Sequence, residues 1–114
     1  EENLVENARR QGEYALNRLR DMQTRHPSIG DVRGRGLLLG VELVTDRATK
    51  APAHKAAEAV LYRALARGLS FKLSLGNVLT LSPPLVISRA EMDTALDILE
   101  SCIAETERDW SPPS

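Results

Sequence analysis

The densest run of residues that could do chemistry is glycine-rich, Gly30-Asp31-Val32-Arg33-Gly34-Arg35-Gly36. The backbone amides of such a run can bind phosphate when a strand precedes it and a helix begins directly after it. Here a strand pattern follows the glycines instead. We therefore favour a structural turn with a close backbone approach, in which the glycines allow positive φ, over a phosphate-binding loop.

The remaining candidate groups do not combine into a catalytic set. His26 and His54 are separated by a loop and a strand, with no cysteine or histidine at metal-ligand spacing, so we expect exposed or capping histidines. Cys102 falls on the apolar stripe of a helix, which favours a small buried hydrophobe over a nucleophile. The sequence has no Gly-x-Ser-x-Gly elbow. These patterns predict no catalytic residue and no metal ligand in this chain.

Glu42 is unusual because it interrupts an apolar strand. One interpretation is an ion pair or an edge position, which charged residues in strands usually have. The other is a contact near a domain interface. We favour the first.

Three segments have the period of a helix. The pattern over Asn3–Thr24 places apolar residues on one face. A second helix is predicted over His54–Arg67, with Gly68 where a C-terminal cap belongs. The third begins at a capping box, in which Ser88 and Glu91 each satisfy a free backbone amide at the helix start.

The strand patterns lie between these helices. Leu37–Val44 predicts a strand mostly buried on both faces, followed by a polar loop over 45–52. Leu69–Leu75 alternates apolar and polar residues, and with Val78–Leu81 it predicts a hairpin that turns at Gly76-Asn77. The order of elements predicts an α+β fold, a short and mainly antiparallel sheet with helices packed on one face.

Composition limits the function classes. The chain has 114 residues, with 15 basic and 16 acidic side chains, and this balance argues against a nucleic-acid partner. No apolar run is long enough to span a membrane, and the single cysteine suits a reducing compartment such as the cytoplasm. We expect one domain over 1–109 and a disordered tail over 110–114. The chain starts without Met inside a helical pattern, so we also expect a truncated or processed fragment.

Two motifs resemble signatures of class III aminotransferases. The first is residues 29–42, and the second is residues 78–87 followed by the capped helix. The likeness runs from about Leu4 to Glu107. This family of fold-type I pyridoxal-phosphate enzymes includes 4-aminobutyrate and acetylornithine aminotransferases and dialkylglycine decarboxylase. The resemblance implies that the chain is the C-terminal small domain of such an enzyme.

The resemblance also implies where the cofactor lies. In the family, pyridoxal phosphate and its Schiff-base lysine belong to a large domain that precedes this segment. None of Lys50, Lys55 and Lys72 falls in a family cofactor motif. The expected partners are therefore the large domain of the same chain, a second copy in a homodimer, and amine and 2-oxo acid substrates.

Thr80 is the one substrate-binding residue that the resemblance implies. Many family members carry an arginine at this position, which binds the substrate carboxylate through two parallel hydrogen bonds. Threonine offers a single hydroxyl, which suits an amine, an amino alcohol, or a phosphonate or phosphate. Alternatively, Arg33, Arg35 or an arginine of the large domain binds the acid.

Two further hypotheses stay open at the level of sequence. The parent is a lyase of the same family that acts on an amino-alcohol phosphate or phosphonate, or the chain is a free-standing α+β binding module without catalysis. The sequence upstream of residue 1 discriminates between the second hypothesis and the enzyme.

Overall fold

The computed structural model describes residues 2–110. Residues 111–114, and with them most of the predicted tail, lie outside the described residues. The elements in chain order are α1 (Glu2–Arg25), β1 (Ile29–Arg35), β2 (Leu38–Asp46), β3 (Ala51–Pro52), α2 (His54–Ala66), β4 (Lys72–Ser74), β5 (Val78–Leu81) and α3 (Arg89–Trp110).

The strands form one five-stranded antiparallel sheet in the order β1-β2-β5-β4, with β3 paired to the end of β2. The helices pack on one face of this sheet, so the predicted α+β fold is confirmed. The short strand β3 falls inside the segment 45–52, which the sequence predicted to be a polar loop without regular structure.

The glycine-rich stretch is a strand for most of its length, so the predicted turn is confirmed only at its last residue, Gly36. Gly30 and Gly34 allow close packing instead. A Cβ atom on Gly30 would lie 2.7 Å from Val44 Cγ1, and one on Gly34 would lie 3.0 Å from Leu39 Cδ2. Only Gly36, with φ of +57°, turns the chain between β1 and β2.

The predicted close backbone approach does occur, between α1 and this turn. A Cβ atom on Gly12 would lie 2.0 Å from the carbonyl oxygen of Gly36. A glycine in the middle of a helix costs about 1 kcal/mol relative to alanine. In α1 that cost is offset by the close contact of the helix with the β1–β2 turn.

The central strand β2 is buried mainly on one face, so the expected burial on both faces is wrong for most of its length, although Leu43 and Val44 are buried in succession. Leu39, Val41 and Leu43 point towards the helices and are fully buried, whereas Leu38 is 56% exposed. The covered face forms the core together with the fully buried apolar side chains of the helices, which are Ala15, Leu19, Met22, Ala57, Val60, Ala64, Met92, Leu96, Leu99, Cys102 and Ile103.

The hairpin of β4 and β5 has the predicted position with a longer turn. Leu75 belongs to the turn rather than to the strand, with φ of 56°, and Gly76 follows with φ of 81°. Asn77 is buried and attaches the turn to β2, because its Nδ2 donates to the carbonyl of Leu43 over 3.0 Å. This contact fixes the position of β5 beside β2.

The helix ends follow the sequence signals closely. The amide of Glu91 donates to Ser88 Oγ over 3.1 Å, and the amide of Ser88 donates to Glu91 Oε1 over 2.9 Å, which confirms the capping box. Gly68 follows Arg67, the C-cap residue of α2, with φ of +87°. The start of α1 departs from expectation, since Val5 of its apolar stripe is 69% exposed.

Candidate functional site

The sheet face opposite the helices is the candidate site, and we call it the open face. Cross-strand partners lie side by side on one face of a sheet, so the strand register assigns its members. Moving from β1 to β4, they are Asp31, Arg33, Arg35, Leu38, Gly40, Glu42, Val78, Thr80, Lys72 and Ser74.

Thr80 lies near the middle of the open face on β5. Its cross-strand neighbours are Gly40 on β2 and Lys72 on β4. Its hydroxyl lies 2.9 Å from Ser74 Oγ. Gly40 presents no side chain, and a Cβ atom there would meet only Val78, at 3.6 Å. The surface beside Thr80 is therefore open and shallow.

Arg33 is held by two carboxylates of the open face. Its Nε lies 3.0 Å from Asp31 and its Nη2 lies 3.3 Å from Glu42. The ion-pair interpretation of Glu42 is thus confirmed, although β2 is not an edge strand. Arg35 has no ion-pair partner among the described residues, and it lies on β1, two strands away from Thr80.

Lys72 and Ser74 are the polar residues beside Thr80 that sequence reasoning did not select. Both are exposed on the edge strand β4. A signal was present, because the alternation in Leu69–Leu75 assigns Lys72 and Ser74 to one face of the strand. The hairpin register then places that face level with Thr80.

His26 contacts two carboxylates on the helix side. Its Nδ1 lies 2.9 Å from Glu107 and its Nε2 lies 2.9 Å from Glu100. Although burial alone lowers the pKa of His26, the hydrogen bonds to these two carboxylates outweigh it and raise that pKa above 6.5. The expectation of an exposed or capping residue is wrong for His26, which links the end of α1 to α3.

A second polar cluster joins the middle of α1 to the start of α3. The Tyr14 hydroxyl donates to Asp93, and Arg18 Nη1 lies 3.1 Å from the same carboxylate. The bond to Asp93 is the main cause that raises the pKa of Tyr14, and the Arg89 guanidinium stacks 3.8 Å from its ring centre. Each polar group in this cluster has a protein partner.

Cys102 is fully buried on α3, as predicted. Burial raises the pKa of its thiol, which outweighs the opposing effect of Arg67. A thiol without access to solvent and with a raised pKa is not a nucleophile at neutral pH.

A groove of about 660 Å³ opens on the helix side, between the start of α2 and the end of α3. Its walls are mostly apolar, with Leu43, Val60 and Ile103 at the base and His54 at the rim. It does not include Thr80, and among its polar groups Glu107 is already bonded to His26 and Ser28. We therefore place the candidate site on the open face.

Over residues 2–110 no cluster of three or more histidine, cysteine or acidic side chains could hold a metal ion. Lys50, Lys55 and Lys72 are all exposed on the surface of this chain. No helix in this range is long and apolar enough to cross a membrane.

Sequence comparison gives a family match over almost the whole chain. The profile described as "Aminotransferase class-III" matches residues 1–103. Among curated relatives, (R)-1-hydroxy-2-aminoethylphosphonate ammonia-lyase of Vibrio splendidus is 51% identical over 96% of this chain and 23% of its own length. Leucine/methionine racemase of Thermococcus litoralis is 45% identical over 94% of this chain and 24% of its own length. Taurine–pyruvate aminotransferase of Bilophila wadsworthia is 37% identical over 94% of this chain and 25% of its own length.

Solved structures share the fold. A PMP-bound aminotransferase from Vibrio fluvialis superposes with a TM-score of 0.85 and 31% identity, over 95% of this chain and 24% of its own. An omega transaminase from Pseudomonas jessenii in complex with PMP gives a TM-score of 0.89 and 28% identity, over 99% of this chain and 25% of its own. The chain thus spans about a quarter of the length of the proteins that it matches.

Proposed function

The chain belongs to the class-III aminotransferase family, and from this premise we propose that it is the C-terminal small domain of a longer pyridoxal-phosphate enzyme. The full-length protein transfers an amino group between an amine or amino-acid donor and a 2-oxo acid. The observation that carries the proposal is the family match over residues 1–103 combined with coverage of only about a quarter of each relative. The free-standing binding module is the weaker hypothesis on the same ground.

Pyridoxal phosphate supplies the electron sink for this chemistry when it is bound. We assign its binding to the part of the full-length protein outside this chain, because none of Lys50, Lys55 and Lys72 falls in a cofactor motif of the family. The role of this domain is to cover the active-site cleft and to contact the distal end of the substrate.

Thr80 is the proposed substrate contact. It lies on the open face between Gly40, which carries no side chain, and Lys72. A threonine supplies one hydroxyl and no charge, so it does not replace the two parallel hydrogen bonds of an arginine to a carboxylate.

The test is Thr80→Arg in the full-length protein. We expect the specificity constant for donors with a carboxylate to rise about ten- to hundred-fold relative to matched donors without one, since a charge-assisted hydrogen bond contributes about 1.5–3 kcal/mol. The measurement compares kcat/KM for the donor pair in wild type and variant. Thr94→Arg, on the exposed side of α3, is the matched control. An unchanged ratio in Thr80→Arg contradicts the assignment.

A second candidate is a lyase that releases ammonia from an amino-alcohol phosphonate. The 51% identity to an ammonia-lyase of that substrate class favours it. Product analysis separates the two activities. A transaminase needs a 2-oxo acid for turnover, whereas a lyase releases ammonia and a carbonyl product without one.

An exposed apolar region at the start of α1 supports a contact with the large domain. Leu4 and Val5 at the start of α1 lie near the loop after β5, because Asn7 donates to the carbonyls of Leu85 and Ile87. The exposed apolar side chains here, Leu4, Val5, Leu85 and Val86, form what we call the apolar end. We propose that the large domain of the same chain covers it in a homodimeric enzyme, and the single reduced cysteine supports a cytoplasmic location.

A further inference from the structure

We infer that Lys72 and Ser74 complete, with Thr80, a binding subsite for a tetrahedral oxyanion, a phosphonate or a sulfonate, at the distal end of the amine substrate. The inference rests on the proposed function in one respect, that the open face meets the substrate. It adds the charged residue that Thr80 lacks and the class of anion that is bound.

The strand register brings the three residues together. Lys72 is the direct cross-strand partner of Thr80, and directly opposed side chains have Cβ atoms about 4.5–5.5 Å apart. Ser74 lies diagonally, and its Oγ is already 2.9 Å from the Thr80 hydroxyl. An anion that accepts a hydrogen bond from Thr80 is therefore within reach of the Lys72 ammonium group.

Lys72 is also the cation of the open face that is best placed to bind an anion there. Arg33 is occupied by Asp31 and Glu42. Arg35 lies on β1, about 10 Å from β5 at the usual strand spacing. Lys72 has no ion-pair partner among the described residues. Its charge is therefore available for a ligand.

The donor set favours a tetrahedral anion over a planar one. A carboxylate is matched by the flat fork of an arginine, whereas lysine is a compact charge with three rotatable donors. One ammonium and two hydroxyls can approach different oxygens of a phosphonate or sulfonate from different directions. Gly40 leaves room for the third oxygen, because the surface above it carries no side chain.

The alternative role of Lys72 is protection of an edge strand. Lysines on edge strands hinder pairing with other chains and need no ligand. In that case its replacement changes aggregation and leaves anion binding unaltered, so the two roles have opposite consequences in a binding measurement.

The experiment uses the full-length protein and probes that lack an amino group, which bind without reacting. Calorimetric dissociation constants are measured for ethylphosphonate, ethanesulfonate and propionate in wild type, Lys72→Met, Thr80→Val and the control Lys55→Met. Lys55 is an exposed lysine on α2, so its replacement removes the same charge elsewhere. We expect Lys72→Met to weaken binding of ethylphosphonate or ethanesulfonate about ten-fold, Thr80→Val to weaken it less, and Lys55→Met to leave it unchanged.

Equal affinity for the tetrahedral anions in wild type and Lys72→Met overturns the inference, and so does wild-type preference for propionate or an absence of binding. Turnover of any amine donor with a 2-oxo acid is measured in parallel. Turnover with unaltered anion binding in Lys72→Met refutes the subsite alone. Selective loss of anion binding without amino transfer refutes the transaminase activity and leaves the subsite standing.

Discussion

Charged residues have different roles on the two sides of the sheet. On the helix side they join one helix to another, as in the contacts of His26 with Glu100 and Glu107. Arg18 likewise contacts Asp93 and Asp97 of α3. On the open face Lys72 and Arg35 have no partner among the described residues. On the open face Arg33 still links β1 to β2 through Glu42, whereas Lys72 and Arg35 stay unpaired at the surface of the described residues.

The largest effect that separates the two sides is loss of packing. Leu99 is fully buried on α3, whereas Leu38 is more than half exposed on the open face. Leu99→Ala is expected to lower the free energy of unfolding by about 2–5 kcal/mol, and Leu38→Ala to change it by no more than about 0.5 kcal/mol. Urea denaturation of the 114-residue chain measures both. A cost for Leu38→Ala equal to that for Leu99→Ala would mean that the open face is part of the core.

Two glycines give a finer comparison of the same kind. Gly12→Ala places a methyl group against the carbonyl of Gly36, which the helix can relieve only by moving, so we expect destabilisation of about 1–3 kcal/mol. Gly40→Ala adds the same atom on the open face in ordinary contact with Val78. That substitution is expected to stabilise the strand by about 0.5–1 kcal/mol. Thermal unfolding of both variants checks the difference in sign.

The smallest expected effect depends on pH. The raised pKa of His26 means that the folded chain binds its proton more tightly than the unfolded chain does. This contribution to stability is present in full below about pH 6.5 and is lost as the pH rises through the raised pKa. His26→Gln should therefore reduce the fall in stability between about pH 5.5 and about pH 8.5. At the lower pH it should cost about 0.5–1.5 kcal/mol.

His54→Gln is the control for this measurement, because His54 is exposed at the start of α2 and contacts neither carboxylate. Comparison of the two variants separates loss of the carboxylate contacts from loss of an imidazole as such. If His26→Gln keeps the wild-type slope, the contacts with Glu100 and Glu107 do not hold a proton.

Local signals predicted the fold well. The capping box at Ser88 and the alternation before the β4–β5 turn are short-range patterns whose physical causes lie within a few residues. The prediction for the glycine-rich stretch was wrong over most of its length, because side chains distant in the sequence pack against its glycines. Gly30 accommodates Val44, and Gly34 accommodates Leu16, so the usual association of glycine with turns was misleading there.

The polar clusters could not be predicted from the sequence for a related reason. His26 and its carboxylates are more than seventy residues apart in the chain, and no local pattern links them. The position of Lys72 beside Thr80 could have been predicted, since the hairpin register follows from the sequence. Thr80 came from a resemblance, and its role stays a prediction.

The buried cysteine of α3 makes the chain a reporter of its own folding. Cys102 is the single thiol among the 114 residues, and it is enclosed by the packing of α2 and α3. Alkylating reagents reach it only when these helices separate, because a closed core excludes them. The rate of thiol labelling therefore measures opening of the helix layer without an introduced probe.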